Sequence, residues 1–347
     1  MIWFNCDYCE GAHPRILERL AQTNLEQTAG YGADPYCRQA EELIKKACQA
    51  PQAQVHFLCG GTQTNLTVLA ACSRPYQSII APVSGHINVH EAGAIEATGH
   101  RIEALPQDHG KITGAQITRF CKAHWEDDNP EFAPQPRTVY ISFPTEYGTL
   151  YSLEELKEIR RACDENHLFL FIDGARLGYG LTAAGNDVTL QDIAALADVF
   201  YIGGTKIGAL LGEAVVITNP KLQKDFRYFM KQKGGILAKG RILGIQFLTL
   251  FEDGLYLKIS QHANDMAALI KKACQQASLP FLYESPTNQQ FPIFPNDMLA
   301  NLEETYAFAH MGRVDKTHSA IRICTSWATR KEDVDQLIAD ILKLAGK

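Results

Sequence analysis

The sequence predicts an α/β protein: a large domain on a mostly parallel sheet over residues 1–240, including an N-terminal arm, and a smaller α+β domain over 241–347. Three observations predict it. Short continuous apolar runs, such as 168–172, are bounded by turn residues, as strands buried on both faces are. These runs alternate with segments of helical periodicity, the pattern of a parallel sheet covered by helices. Near residue 240 the alternation gives way to one long helical pattern and then short strands. A length of 347 residues also suits two domains at ~150 residues each.

Each element has its own signal. Residues 38–50 put Ala40, Leu43, Ile44, Ala47 and Cys48 on one helical face. The apolar run 55–58 ends at Gly60-Gly61-Thr62, and a helix follows with Leu66, Leu69 and Ala70 on one side. Residues 78–83 and 139–143 read as strands. Ser152 and Glu155 have the spacing of a capping box and open a helix carrying Leu153, Leu156, Ile159 and Cys163. Strands are expected at 168–172, 198–202 and 214–218. Beyond 240, one helix is expected over 241–276, with Ile242, Ile245 and Leu248 in register. Short strands follow near 281–283, 291–294 and 320–325. An amphipathic helix with Val334, Leu337, Ile338, Ile341 and Leu342 closes the chain.

Composition excludes several classes. Apolar residues make up 46%, enough for a large core, and the net charge of −6 is spread without a basic run, which argues against nucleic-acid binding. No apolar run approaches the ~20 residues that span a bilayer, and no leader pattern opens the chain, so a cytoplasmic protein is expected. Ten scattered cysteines fit reduced core thiols better than a disulfide framework. Cys6 and Cys9 form a C-x-x-C, but with no second pair and no βαβ start beside it the spacing reads as coincidence. No metal site is expected.

The chemistry centres on two strand ends. Asp173 follows the run 168–172, where open α/β sheets place ligands. Standing alone, it reads equally as a helix N-cap. Lys206 follows the next strand, 33 positions on, about one strand–helix–strand step, so the two strands can be neighbours. A lysine amine that bonds an aldehyde, facing a carboxylate that pairs a protonated ring nitrogen, suits pyridoxal 5'-phosphate. The alternative for Lys206 is a solvated lysine or a phosphate contact beside Gly203-Gly204. The turn Gly60-Gly61-Thr62-Gln63 runs from strand into helix and offers free N–H groups to a phosphate; an ordinary capped turn reads the same way. His86 and His90 stand four apart without the H-E-x-x-H order of a zinc site. One flat imidazole stacked on the cofactor ring suits the segment, and a hydrogen-bonded core histidine suits His90 as well.

With these residues in place, nearly the whole chain resembles the threonine aldolase/β-eliminating lyase family, of the aspartate-aminotransferase-like fold type I. Tyr31-Gly32-Ala33-Asp34-Pro35 resembles its Y-G-D-D-P, and Gly61-Thr62-Gln63-Thr64-Asn65-Leu66 its G-T-Q-A-N-L. His86 with Glu91-Ala92-Gly93 is similar to its ring-stacking histidine and E-A-G, and Asp173-Gly174-Ala175-Arg176 to its D-G-A-R. The resemblance implies that Lys206, Asp173, Gly61, Thr62, Gln63, His86 and Arg176 bind pyridoxal 5'-phosphate. It implies that Asp7, Tyr31, Arg176 and Arg322 bind substrate, with Arg322 clamping its carboxylate. Homodimers or homotetramers with shared sites are implied, with Tyr31 coming from the neighbouring chain. Lys231, Lys239 and Arg241 are candidates for a phosphate partner from that chain.

Where the family has T-H-x-G, this chain has Thr145-Glu146-Tyr147-Gly148, so Glu146 joins Lys206 and His86 as a candidate catalytic group. The activity implied is cleavage of the Cα–Cβ bond of a β-hydroxy-α-amino acid to glycine and an aldehyde. The alternatives are β-elimination to ammonia and a 2-oxo acid, or a non-catalytic ligand-binding protein on the same fold.

Overall fold

The computed structural model describes residues 1–347. Seven strands form the main sheet: β1 (Gln54–Leu58), β2 (Gln77–Pro82), β3 (Arg101–Leu105), β4 (Gln135–Ser142), β5 (Phe169–Asp173), β6 (Val199–Gly203) and β7 (Glu213–Ile217). Their order is β1-β7-β6-β5-β4-β2-β3. Only β7 is reversed; β2 through β6 pair in parallel, as the apolar runs implied. The edge strand β3 was not foreseen. None of its residues is fully buried, Arg101 and Ala104 are exposed, and its sequence, Arg-Ile-Glu-Ala-Leu, has no continuous apolar run.

Both faces of the sheet are covered. Val139, Ile141, Leu170 and Ile172 enter the larger of its two cores, and Tyr140, Phe169, Phe171 and Tyr201 enter the other. This alternation follows from the two-residue period of a strand. The helix Leu153–Glu165 begins with the expected capping box, Ser152 and Glu155 each bonding the other's backbone N–H. Its buried side, Leu156, Ile159, Ala162 and Cys163, packs on the larger core.

The expected helix over 241–276 is two helices, Arg241–Phe251 and Leu255–Gln276. Gly254, at φ +66°, turns the chain between them in the left-handed region that glycine tolerates. The first packs on the helix Pro35–Ala47 so closely that a Cβ on Gly244 would lie 2.5 Å from Cys37 N. The second is shared: Leu255, Tyr256, Ile259 and Ala263 lie in the large core, while Met266, Ile270 and Cys274 lie in a third core with Phe294, Ile321 and Leu337. A division by core packing would therefore cut this helix, beyond the expected boundary at 240/241.

The smaller region carries the strands Gln289–Gln290, Ile293–Pro295, Ala309–Arg313 and His318–Cys324, and the closing helix Lys331–Leu344. Residues 281–283 make only an isolated bridge, Phe281 to Pro292. The N-terminal arm joins this region, since Ile2–Trp3 pairs in parallel with Tyr306–Ala307 and Phe4 lies in its core.

Candidate active site

The parallel strands deliver their following loops to one end of the sheet. Ser142 and Asp173 are register partners at the ends of β4 and β5, and Gly203 ends β6 opposite Glu213. Two glycines let the loops after β5 and β6 cross closely. A Cβ on Gly174 would stand 1.9 Å from Tyr201 O, and one on Gly203 2.4 Å from Ala175 O. Asp173 and Lys206 are thus brought to neighbouring strand ends, as their spacing implied.

Asp173 is 4% exposed and anchored on both oxygens. Oδ1 accepts from Tyr201 Oη (2.5 Å) and Ala175 N (3.0 Å). Oδ2 accepts from Tyr140 Oη (2.7 Å) and Asn65 Nδ2 (3.1 Å). The neutral-donor shell leaves a negative charge with no cation paired to it in the chain, which suits a protonated ring nitrogen. Its helix N-cap alternative does not hold: the short helix that follows starts at Leu177, with Arg176 at its cap.

Lys206 is half-buried, and its ammonium makes no hydrogen bond or ion pair; the Tyr8 ring lies 6.0 Å from Nζ. Burial, then the Arg176 charge, pushes its pKa below the ordinary lysine value. That favours the neutral amine a carbonyl needs. Its backbone is fixed by Tyr179 Oη, which donates to Lys206 O (2.5 Å). Beneath the turn, Glu213 accepts from Gly204 N (3.0 Å) and Thr205 Oγ1 (2.8 Å), and burial raises its carboxyl to about 7.

The helix Gly61–Cys72 starts at Gly60 with no capping side chain, so its first-turn N–H groups stay open to an anion. A Cβ on Gly60 would meet nothing within 4 Å, which leaves the cradle clear. Thr62 is exposed with its hydroxyl free. Gln63 is not: it accepts from Cys59 N (3.1 Å) and donates to Lys233 O (3.1 Å), tying the turn to a neighbouring loop.

His86 opens a short helix, and its Nδ1 lies 2.7 Å from Glu91 Oε1. With a carboxylate there the ring carries a proton on Nδ1 and leaves Nε2 free. Glu91 Oε1 also accepts from Asn65 Nδ2 (2.6 Å), so one asparagine links the histidine pair to Asp173. The His90 ring is tilted at 5.5 Å from His86 and exposed, so it is not a core histidine. Glu146 stands behind His86: Oε1 accepts from His86 N (2.9 Å) and Ser142 Oγ (2.8 Å), while Oε2 is buried without a partner. Burial raises its pKa.

The two arginines differ. Arg176 is forked onto Asp7, Nε to Oδ2 at 2.7 Å and Nη2 to Oδ1 at 2.9 Å. Asp7 is fully buried and also accepts from Asn288 Nδ2 (2.9 Å). Burial opposes its charge, but Arg176 and Lys206 hold its pKa below the ordinary value. Asp7, expected among the substrate-binding groups, thus faces Arg176. Arg322 has no carboxylate partner. It reaches only Asn5 O (3.4 Å), and its buried Nε is unpaired.

Tyr31 stands apart from these groups. Its backbone is in the left-handed region at φ +61°, its N–H donates to Ala238 O (3.1 Å), and its carbonyl accepts from Arg227 (3.0 Å). Lys231 Nζ lies 5.2 Å from its half-exposed ring. Arg241 is spent on the carbonyls of Thr23 and Glu26.

The chain matches the beta-eliminating lyase family over residues 5–295. It belongs to that family. A Leishmania major threonine aldolase structure superposes with a TM-score of 0.97 at 40% identity, covering 99% of this chain and 100% of that one. The low specificity L-threonine aldolase of Pseudomonas aeruginosa is 29% identical over 99% of this chain and 98% of its own length. That of Pseudomonas sp. is 30% identical over 97% and 96%. A Thermus thermophilus aspartate aminotransferase, at 12% identity and TM-score 0.71 over 99% of this chain and 91% of its own, shares the fold alone. This lyase therefore has the aspartate-aminotransferase-like fold type I, in a family that depends on pyridoxal phosphate.

Sequence reasoning quoted Asn65 and Glu91 within motifs but gave them no role, and it missed Tyr140, Tyr201 and Glu213. A signal existed for the tyrosines. Each is a hydroxyl-bearing ring between buried apolar neighbours, Val139 and Ile141 or Phe200 and Ile202, and a buried phenol needs a partner.

Proposed function

We propose that this lyase cleaves the Cα–Cβ bond of a β-hydroxy-α-amino acid, giving glycine and an aldehyde, with pyridoxal 5'-phosphate held on Lys206. One observation carries the reading: the site wall holds two basic side chains, Lys206 and Arg322, that form no ion pair with any carboxylate of the chain. One suits an aldehyde and the other a substrate carboxylate. The relatives' activity as threonine aldolases points the same way.

When bound, the cofactor supplies an aldehyde that takes up an amine and a ring that withdraws electrons. The residues supply the rest. Asp173 would hold the ring nitrogen, the Gly60–Thr62 turn the phosphate, and His86 the ring face. Arg322 fixes the substrate carboxylate, and Arg176, pinned by Asp7, lends its remaining N–H groups to the same end. His86 Nε2 accepts the β-hydroxyl proton, since Glu91 keeps the ring's other proton on Nδ1. Glu146 is the second candidate, but its contacts favour a holding role: Oε1 is committed and Oε2 is sealed. Tyr31 is proposed to enter a neighbouring subunit's site in an assembly of at least two chains. The free thiols support a cytoplasmic location. No helix is long and apolar enough to cross a membrane.

The test is a panel of β-hydroxy and other β-substituted amino acids given to the cofactor-loaded protein. Glycine with aldehyde is expected. Ammonia with a 2-oxo acid would establish the eliminating alternative instead, and no turnover would leave a binding protein. Borohydride should tether the cofactor to Lys206; recovery on another lysine overturns the assignment.

A further inference from the structure

The segment from Asn5 to Glu10 forms one wall of the site. Asn5 O accepts from Arg322 (3.4 Å), Asp7 pins Arg176, and the Tyr8 ring lies 6.0 Å from Lys206 Nζ. Glu10 accepts from Ser326 Oγ (3.1 Å). Cys6 and Cys9 bracket Asp7 and Tyr8, and their sulfurs are 3.2 Å apart. The C-x-x-C spacing that read as coincidence is therefore a contact in the fold. Seven of the other eight cysteines are buried, whereas Cys9 is exposed and Cys6 partly so. No cluster of further ligands completes a metal site around the pair.

We propose that Cys6 and Cys9 are a redox modification site, closing to a reversible disulfide that retunes the wall of the active site. The oxidant is a low-molecular-weight disulfide. One cysteine, as thiolate, attacks it, forms a mixed disulfide and expels one thiolate, which takes up a proton. The second cysteine loses its proton, attacks the protein sulfur and expels the other thiol. Two thiols and one disulfide become one protein disulfide and two small thiols, and two electrons pass to the oxidant.

Closure draws the sulfurs together by roughly 1 Å, since a disulfide bond is ~2.05 Å long. Asp7 and Tyr8 lie between them and share the change with the two cysteine side chains. Asp7 is locked to Arg176 and Asn288, so the movement passes to the Arg176 guanidinium and to Asn5 O at Arg322. Substrate carboxylate binding weakens as a result. This effect on turnover rests on the proposed function; formation of the disulfide does not.

The experiment equilibrates the cofactor-loaded protein with oxidised glutathione or with dithiothreitol. Peptide mapping should find Cys6 joined to Cys9, and hydrogen exchange should change in peptides holding Asp7 and Arg176. KM should rise about tenfold, the loss expected of one distorted charge-assisted bond. Dithiothreitol should reverse it. Cys9→Ser should keep the reduced protein's activity and ignore the oxidant. Thiols that stay free, a bond to another cysteine, or a mapped disulfide with unchanged KM would each overturn the proposal. If the reduced protein has no turnover, the proposed function fails, and mapping with hydrogen exchange still decides this one.

Discussion

Arg176 and Arg322 show how one residue type serves two ends according to its partner. Arg322 has no carboxylate of the chain beside it, so Arg322→Ala should chiefly raise KM, by tens of fold, because leaving a buried carboxylate unpaired costs ~2–5 kcal/mol. An unchanged KM would make it a structural arginine. Arg176 is answered by Asp7, and there the expected effect is on stability. Asp7 has a folded pKa below its ordinary 3.8. Its stabilisation is fully present above that value and is lost as pH falls through the lower folded value. Asp7→Asn should therefore lose ~3–5 kcal/mol in denaturant unfolding at pH 7, with the gap to the parent closing in acid below pH 3.8. A gap independent of pH would show that the ion pair is not its source. For the proton acceptor, His86→Asn should lose ~10²–10⁴ in kcat even with the cofactor saturating, while Glu146→Gln should stay within a few-fold with the cofactor spectrum intact. The reverse order would hand the role to Glu146.

At the scale of elements, the site depends on two loops passing closer than any side chain permits. Gly174→Ala would drive a Cβ onto Tyr201 O and should destabilise by ~1–3 kcal/mol or more while loosening cofactor binding. Gly11→Ala, which meets nothing, should stay within ~0.5 kcal/mol. Equal unfolding midpoints for the two variants would refute the close-approach argument. These two loops were legible in the sequence, because buried parallel strands read as apolar runs and the candidate site residues stand just after them. So were Asp173, Lys206 and the open turn at Gly60. The link from His86 and Glu91 through Asn65 to Asp173 was not, since Glu91 and Asp173 lie 26 and 108 positions from Asn65 and meet it only through sheet order. The break at Gly254 was missed because apolar periodicity continues on both sides of it. The pairing of Ile2–Trp3 was missed because two residues carry no period.

For the whole molecule, Tyr31 poses the question of assembly. Its strained backbone is held by Ala238 and Arg227, yet its ring has no contact with Lys206 or Asp173 in its own chain. Tyr31→Ala and Lys206→Ala subunits should each be poor alone and regain part of the activity when mixed. A fully active monomer in sedimentation would contradict this. The arm that pairs with Tyr306–Ala307 has a different consequence, in time rather than space. During synthesis Ile2–Phe4 leaves the ribosome roughly 300 residues ahead of its partners, a wait of roughly 15–60 s at ~5–20 residues per second. Over that interval Phe4 has no core to enter and Arg176 can already claim Asp7. The Asp7–Arg176 clamp can therefore form before the region that later holds the arm has been made, and a chaperone that shields the apolar segment Ile2–Phe4 has its longest opportunity here.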